Sequence, residues 1–284
     1  MSVADVVSKD ILDVRRAKII WAVAGLYTLV TAVFVYWGTE ARPPEGWSGV
    51  YMALWNFAFV GALFVPAIAL VAAYLAIAGE RESGSIKYLL STPIRRRDVV
   101  LGKYVSRGAV VAVSLIVAFV VAAVLSLLWF DEFPAGVFVG LSVLTIVFAL
   151  AYVAIAITVS AMTASRSRAM GGALAVYFVT NLLILFGQLS ILGALQYVLN
   201  DLLGLGVGDE PIQFVGMVLS PTQAYLASTT LAFPNDLVAA MPTAGDPADL
   251  VWYLQPETAL AILLAWTVLP LALGIWRFER ADLG

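Results

Sequence analysis

Six apolar runs, each free of Asp, Glu, Lys and Arg, constrain this 284-residue chain more than any other feature. They cover residues 19–37, 51–78, 108–130, 136–162, 169–192 and 258–276. A helix rises about 1.5 Å per residue, so about 20 apolar residues cross the roughly 30 Å hydrocarbon core of a bilayer. The expected fold is therefore an all-α integral membrane protein of six transmembrane helices, forming a single transmembrane domain over 1–284. Hydrophobic residues make up 62% of the chain and charged residues 12%. A soluble domain is nearer half apolar and a quarter charged. The spans leave no room for a separate soluble catalytic domain.

Charge sets the orientation. With the N-terminus inside, fifteen of the sixteen Lys and Arg residues lie on the inner side and only Arg42 lies outside. That is a strong positive-inside pattern. Eleven of the nineteen acids lie outside, so the net charge is −10 on the outer face and +7 on the inner. Both termini are expected to be cytoplasmic, in the cell membrane of a prokaryote. The overall charge of −3 averages two opposite faces and gives no argument for a nucleic-acid partner. Four lysines against twelve arginines, with an acidic outer face, fit either a high-salt organism such as a halophilic archaeon or ordinary topology bias in an Arg-rich genome.

Residues 1–18 mix Asp, Lys and Arg before any apolar run begins, unlike a cleavable signal peptide. Val3, Val7, Ile11 and Val14 fall on one helical face, which suits an interfacial helix bracing the first span. A solvated polar tail is the alternative. At the other end, residues 193–257 are moderately apolar but broken by Gly204, Gly206, Gly208, Pro211, Ser220 and Pro221 into pieces too short to span. Such a segment lies at the outer interface, or re-enters where other protein covers its backbone.

Much chemistry is excluded. The chain has no Cys and no His, which removes disulfides, thiolate and imidazole metal sites, haem ligation by His, and Ser-His-Asp or Cys-His nucleophiles. No intramembrane charge marks a proton relay. Asn181 and Gln188 in the fifth span are seven apart and would share a face; they either line a pathway or serve as inter-helical hydrogen-bonding glue. A phosphate-binding loop is absent, because Gly102-Lys103 is followed by Tyr104 and preceded at the fifth position by Arg97. The chain itself is thus expected to hold no cofactor and not to hydrolyse ATP by that route.

The remaining signal is the charge-dense stretch 79–107, which lies between two spans and carries seven of the sixteen basic residues. It reads as an acid-base start, a small-residue break, an apolar stripe of Ile86, Leu89 and Leu90, and a basic helix started by Thr92-Pro93. A plain positive-inside loop, or a surface for anionic lipid, accounts for the charge but not for this order. A short helix held between two long ones could dock in a partner's groove and pass a push to both spans.

Here the chain resembles the permeases of ABC-2 type ABC transporters. The residues that carry the likeness are Gly79-Glu80-Arg81-Glu82, Gly84-Ser85, Ile86 to Leu90, Thr92-Pro93, Arg95 to Arg97, Asp98 and Gly102-Lys103. Leu219-Ser220-Pro221, followed by Tyr225, extends it to the broken outer segment. The resemblance implies an export-type permease with an N-terminal elbow helix and a coupling helix at about Glu80 to Ser91. It implies a second cytoplasmic contact over 163–168 and a re-entrant outer segment. The residues implied to meet the ATPase are Glu80, Arg81, Glu82, Ser83, Gly84, Ser85, Lys87, Tyr88, Arg166 and Arg168. Two permease subunits would pair, as homodimer or heterodimer, and bind two separate ABC ATPase subunits that carry ATP and Mg. Members of this family move lipids, polysaccharides, drugs or peptides, and one branch assists copper-site maturation of nitrous oxide reductase. With no His, Cys or clustered Met, this chain gives that branch no direct support. The competing readings are a non-transporting membrane scaffold that recruits a cytoplasmic partner and, more weakly, an intramembrane enzyme.

Overall fold

A computed structural model of the chain describes residues 7, 10, 18–40, 47–91, 94–181, 190–239 and 250–281, with backbone alone at 18–24, 38–40, 89 and 90. Every regular element among them is helical. In chain order they are α1 (Lys18–Glu40), α2 (Gly49–Ala73), α3 (Ala78–Glu82), α4 (Ser85–Leu90), α5 (Arg96–Trp129), α6 (Ala135–Met162), α7 (Arg166–Thr180), α8 (Ile191–Gln196), α9 (Asp209–Leu219), α10 (Pro221–Thr229), α11 (Asn235–Ala239) and α12 (Pro256–Glu279). The interfacial helix expected at 1–18 falls outside the described residues except at Val7 and Asp10, both helical.

Among the described residues, four stretches are long and apolar enough to cross a bilayer: Gly49–Glu82, Arg96–Trp129, Ala135–Met162 and Pro256–Glu279. Each matches one of the six expected spans. The first expected span, 19–37, lies within α1, a helix of 23 residues. The fifth expected span, 169–192, differs: α7 has 15 residues and ends at Thr180, with Asn181 as its C-cap in a non-helical conformation. Arg166 and Arg168, expected in a loop, occupy the first turn of that helix. The faces away from the core are apolar. On α5, Val113, Val117, Val120, Val124 and Leu128 are exposed, as are Leu264, Val268 and Leu269 on α12, the inverse of a water-soluble surface and the pattern of a lipid-facing one.

The core centres on α6, which is apolar around its whole circumference and packs most extensively against α12 and α2. Small residues let its neighbours approach closely. A Cβ on Gly274 of α12 would lie 2.9 Å from Thr158 Oγ1 and 3.1 Å from Thr158 Cα, and one on Gly108 of α5 would lie 2.8 Å from Leu150 Cδ2.

The broken segment before α12 is fastened by its own turn chemistry. Gly204 and Gly206 take positive φ of 62° and 61°, and Asn200 closes the loop with bonds to both the N–H and the C=O of Val207. Further on, α9 and α10 meet at Ser220, whose hydroxyl caps α10 at Gln223 N, with Pro221 opening the helix. The break sits deep, against Tyr152 past the midpoint of α6. Tyr152 OH lies 2.7 Å from both Thr180 Oγ1 and Thr222 Oγ1. Asn181 Nδ2 donates to Tyr152 OH at 2.9 Å, and Asn181 Oδ1 accepts from Thr222 at 2.7 Å. Ser220 Oγ donates to the carbonyl of Thr180 at 3.3 Å. Asn181 is thus fully buried as hydrogen-bonding glue between α6, α7 and α10; Gln188 lies outside the described residues. Asn181→Leu leaves Tyr152 and Thr222 short of partners in a buried site and should destabilise the fold by about 1–3 kcal/mol. Thermal unfolding in detergent reads that loss directly.

Candidate functional site

The stretch between the second and third spans forms a compact turn whose polar groups are bonded to the adjacent ends of several helices. It starts where α2 gives way to α3: the backbone N–H groups of Ile77 and Ala78 both donate to Ser160 Oγ near the end of α6, at 3.0 and 2.9 Å. The next three residues each face a different neighbour. Glu80 Oε1 accepts from Lys103 Nζ of α5 at 2.6 Å. Arg81 Nη1 donates to the carbonyls of Ala161 and Thr163 at 3.1 and 3.0 Å, so a cation closes the C-terminus of α6. Glu82 Oε2 accepts from Arg166 N at 2.5 Å, so an anion closes the N-terminus of α7.

The single coupling helix expected from about Glu80 to Ser91 is two helices, α3 and α4, broken at Ser83 and Gly84. Gly84 has φ 74°, a left-handed conformation that side chains with a Cβ rarely adopt. Ser83 and Ser85 hydrogen-bond each other at 3.0 Å across it. Beyond the break Ile86 is buried, while Lys87 is exposed and Tyr88 is 81% exposed. Glu82, Ser83, Ser85, Lys87, Tyr88, Arg166 and Arg168 are all exposed, and the Glu82–Arg166 contact joins the two groups. Thr92 and Pro93 lie outside the described residues.

Behind this edge is a buried ionic cluster. Lys103 Nζ is held at 2.6 Å from both Glu80 Oε1 and Asp10 Oδ1. Asp10 also accepts from Ser106 Oγ at 2.5 Å and from Arg107 Nη2 at 3.0 Å. Arg107 continues to the carbonyl of Ala72 on α2. Two carboxylates and two cations balance, as a buried group of charges must. Burial pushes the Asp10 carboxyl up, but Lys103 and Arg107 beside it, with the hydrogen bonds from Lys103 and Ser106, outweigh that and hold it below the usual carboxylate range. Asp10 is 2% exposed, so this part of the N-terminal segment is not a solvated tail. At the far side, Arg96 Nη1 donates to the carbonyls of Phe278, Glu279 and Ala281, at 3.2, 3.1 and 2.6 Å, closing the C-terminus of α12. Among the described residues no cluster of three or more His, Cys, Asp or Glu could hold a metal.

Residues 4–283 match the family described as ABC-2 family transporter protein. The chain belongs to this family. It is 28% identical over 282 residues to a protein of Pseudomonas aeruginosa named as a probable ABC transporter permease protein NosY, covering 96% of each chain. A protein of Stutzerimonas stutzeri with the same name is 26% identical over 288 residues, covering 97% of each. The chain is thus a membrane permease of ABC-2 type, and both matches run nearly end to end.

For this permease, the structure gathers the residues singled out in the sequence at one place: 80–88 and Arg166 with Arg168 lie on the same end of the helix bundle. It also divides them. Glu80 and Arg81 face inward and fasten helices, whereas Ser83, Ser85, Lys87 and Tyr88 face solvent. Asp10, Ser106, Arg107 and Ser160 complete the site and were not singled out; Arg96 and Lys103, named only as carriers of the family likeness, belong to it as well. The acid at position 10 and the Gly-Lys pair at 102–103 were visible, but nothing local says that a side chain 93 residues away is its partner.

Proposed function

We propose that this permease is the membrane-spanning subunit of an ATP-driven exporter, with six spans and both termini cytoplasmic. It works as a pair, with each copy taking one separate ATPase subunit that binds ATP and Mg. The partner seats on the edge formed by Ser83, Ser85, Lys87, Tyr88, Arg166 and Arg168. What carries the reading is the wiring behind that edge. Through Glu80, Arg81, Glu82 and Arg96, a displacement of the turn reaches the inner ends of α5, α6, α7 and α12 at once. ATP-driven closure of the partner would then shift the spans between inward- and outward-open arrangements, because it binds one arrangement better than the other. The re-entrant outer segment, with its protein-covered break at Ser220, forms the outer closure.

Two variants test this. Glu82→Ala removes the anionic cap of α7 at a cost of about 1 kcal/mol, too little to unfold the chain. Gly84→Pro cannot keep φ 74°, since proline holds φ near −65°, and so redirects the edge. Both should insert and express normally, while ATP hydrolysis by the co-purified complex loses its dependence on the permease. Wild-type coupling in both, at wild-type expression, would overturn the reading. A tagged chain pulled from native membranes should bring a stoichiometric soluble protein with a phosphate-binding loop. A partner that binds without ATP-dependent movement of any cargo would mark a scaffold instead.

A further inference from the structure

A groove of about 440 Å³ runs between α12 and α6, with the end of α9 as a third wall. Its walls include Ile155 and Val159 of α6, Val218 of α9, and Ile262, Leu269 and Leu273 of α12. Val218, Leu269 and Leu273 are exposed, so the groove opens on the surface that faces lipid. Two of its lining residues carry a polar side-chain atom, and both are already bonded. Thr158 Oγ1 bonds to the carbonyls of Ala154 and Pro270, and Trp266 Nε1 donates to the carbonyl of Val218 at 3.2 Å. The groove thus offers a polar ligand no free side-chain donor. Ile262 and Leu273 are eleven residues apart. That is about 16 Å of helix, close to the roughly 15 Å of hydrocarbon in one leaflet.

One end of the groove is positively charged. Ile262, Trp266, Leu269 and Leu273 recur at intervals of four, three and four, so they share one stripe of α12. Trp276, Arg277 and Arg280 follow Leu273 by three, four and seven residues and prolong that stripe. Arg280 is the C-cap and keeps a helical conformation. Both guanidinium groups lie over the Trp276 ring, with Arg277 Cζ at 5.0 Å and Arg280 Cζ at 4.6 Å from its centre. Two like charges on one ring repel each other, and among the described residues neither has a carboxylate within ion-pair distance. Glu279 stands six residues past Leu273, off the stripe. The pair is also not needed to close the helix, because Arg96 holds the carbonyls of Phe278, Glu279 and Ala281. Arg280 spends one N–H on Trp276 O, at 3.4 Å. A guanidinium held over a ring keeps its remaining N–H edge for an anion.

We propose that this groove, with Arg277 and Arg280 at its end, is a binding site for one anionic phospholipid of the surrounding bilayer. An acyl chain fills the groove, and the headgroup phosphate takes the N–H edges of the two arginines. The groove alone would accept any lipid tail, and the arginines alone any small anion. Only a molecule with a tail next to a negative headgroup satisfies both. Trp276 then stands where tails give way to headgroups, the usual depth for tryptophan. The site rests on the chain being a membrane permease and not on the coupling reading.

Native mass spectrometry of the delipidated full-length permease tests this, with dioleoylphosphatidylglycerol and dioleoylphosphatidylcholine as probes. The two share their tails and differ in headgroup charge. The wild type should retain phosphatidylglycerol in preference to phosphatidylcholine; equal affinity for the two overturns the site. Removing both charges, in Arg277→Gln with Arg280→Gln, should weaken phosphatidylglycerol about twentyfold, at about fivefold per arginine, and leave phosphatidylcholine unchanged. Wild-type binding of phosphatidylglycerol in that variant overturns the proposal. Both arginines are exposed, so the double variant should fold, and its result decides alone. Ala265→Phe narrows the groove and should weaken both lipids. Leu264→Phe, on an exposed side chain outside the groove, should change neither. Unchanged binding in a folded Ala265→Phe, checked by its lipid-free melting temperature, would mean that the arginines take phosphate without a tail, and it also overturns the site.

Discussion

Replacing Lys103 with Met should destabilise the protein by about 3–5 kcal/mol, the usual loss when one partner of a buried ionic group is removed. Lys103 is the cation shared by Asp10 and Glu80, and its side chain is 5% exposed. Without it, Asp10 keeps Ser106 and Arg107, but the Glu80 carboxylate loses its only ion pair among the described residues, and its Oε2 is already buried without a partner. Glu80→Gln alone should cost less, and the double variant Lys103→Met with Glu80→Gln should recover part of the loss. That non-additivity, read by thermal unfolding of the four proteins, measures the pair. A purely additive result would mean that the two side chains do not depend on each other.

Acid adds a second readout of the same cluster. The Asp10 carboxyl titrates below its ordinary value of 3.8 in the folded protein. Its contribution is therefore complete at pH above 3.8 and is lost as pH falls through the lower folded value. In Lys103→Met the burial of Asp10 is opposed by fewer cations, so its folded value rises and the acid-side loss of stability begins at a higher pH. A melting-temperature profile across the acid range for both proteins tests the sign.

Gly274→Val should separate two spans that pack more extensively than any other pair. The added Cβ would meet Thr158 Oγ1 at 2.9 Å and, more seriously, Thr158 Cα at 3.1 Å. Backbone does not swing aside, so α12 must move away from α6. That shift also strains the contact of Thr158 Oγ1 with Pro270 O, now 2.5 Å. Overpacking of this kind costs about 1–3 kcal/mol. Gly25→Val is the control: no atom lies within 4 Å of its Cβ position, and its effect should stay within about 0.5 kcal/mol. Disulfide trapping between single cysteines on α6 and α12, in a chain otherwise free of cysteine, reports whether the helices have parted.

Local patterns made much of the architecture legible. An uncharged run of 19 or more residues is helical wherever it sits in lipid, because unpaired backbone groups there are too costly for any other form. Hence Ala135–Met162 and Pro256–Glu279 fall within three residues of the expected ends. The Ser220-Pro221 break was equally readable, since a side-chain cap followed by proline both stops one helix and starts the next. Patterns failed where the local signal was double. Residues 80–91 carry a helical apolar stripe and also Ser83-Gly84-Ser85, and the glycine decided in favour of a break. In the fifth span, apolar residues continue past Thr180, yet α7 ends there, with Asn181 as a non-helical C-cap whose side chain bonds Tyr152 and Thr222.

By itself the sequence determined that the chain has membrane-spanning helices, that its basic residues lie outside the apolar runs, and that a charged turn sits between two of them. These follow from the hydrocarbon core's intolerance of charge and of unpaired backbone, which acts on each segment separately. Only the tertiary structure decided that Glu80, Arg81 and Glu82 point to three different neighbours, that Asp10 reaches Lys103, and that Asn181 meets Tyr152 and Thr222. Those are pairings between residues tens to hundreds of positions apart. Their energies depend on distance and burial, which exist only once the helices have packed.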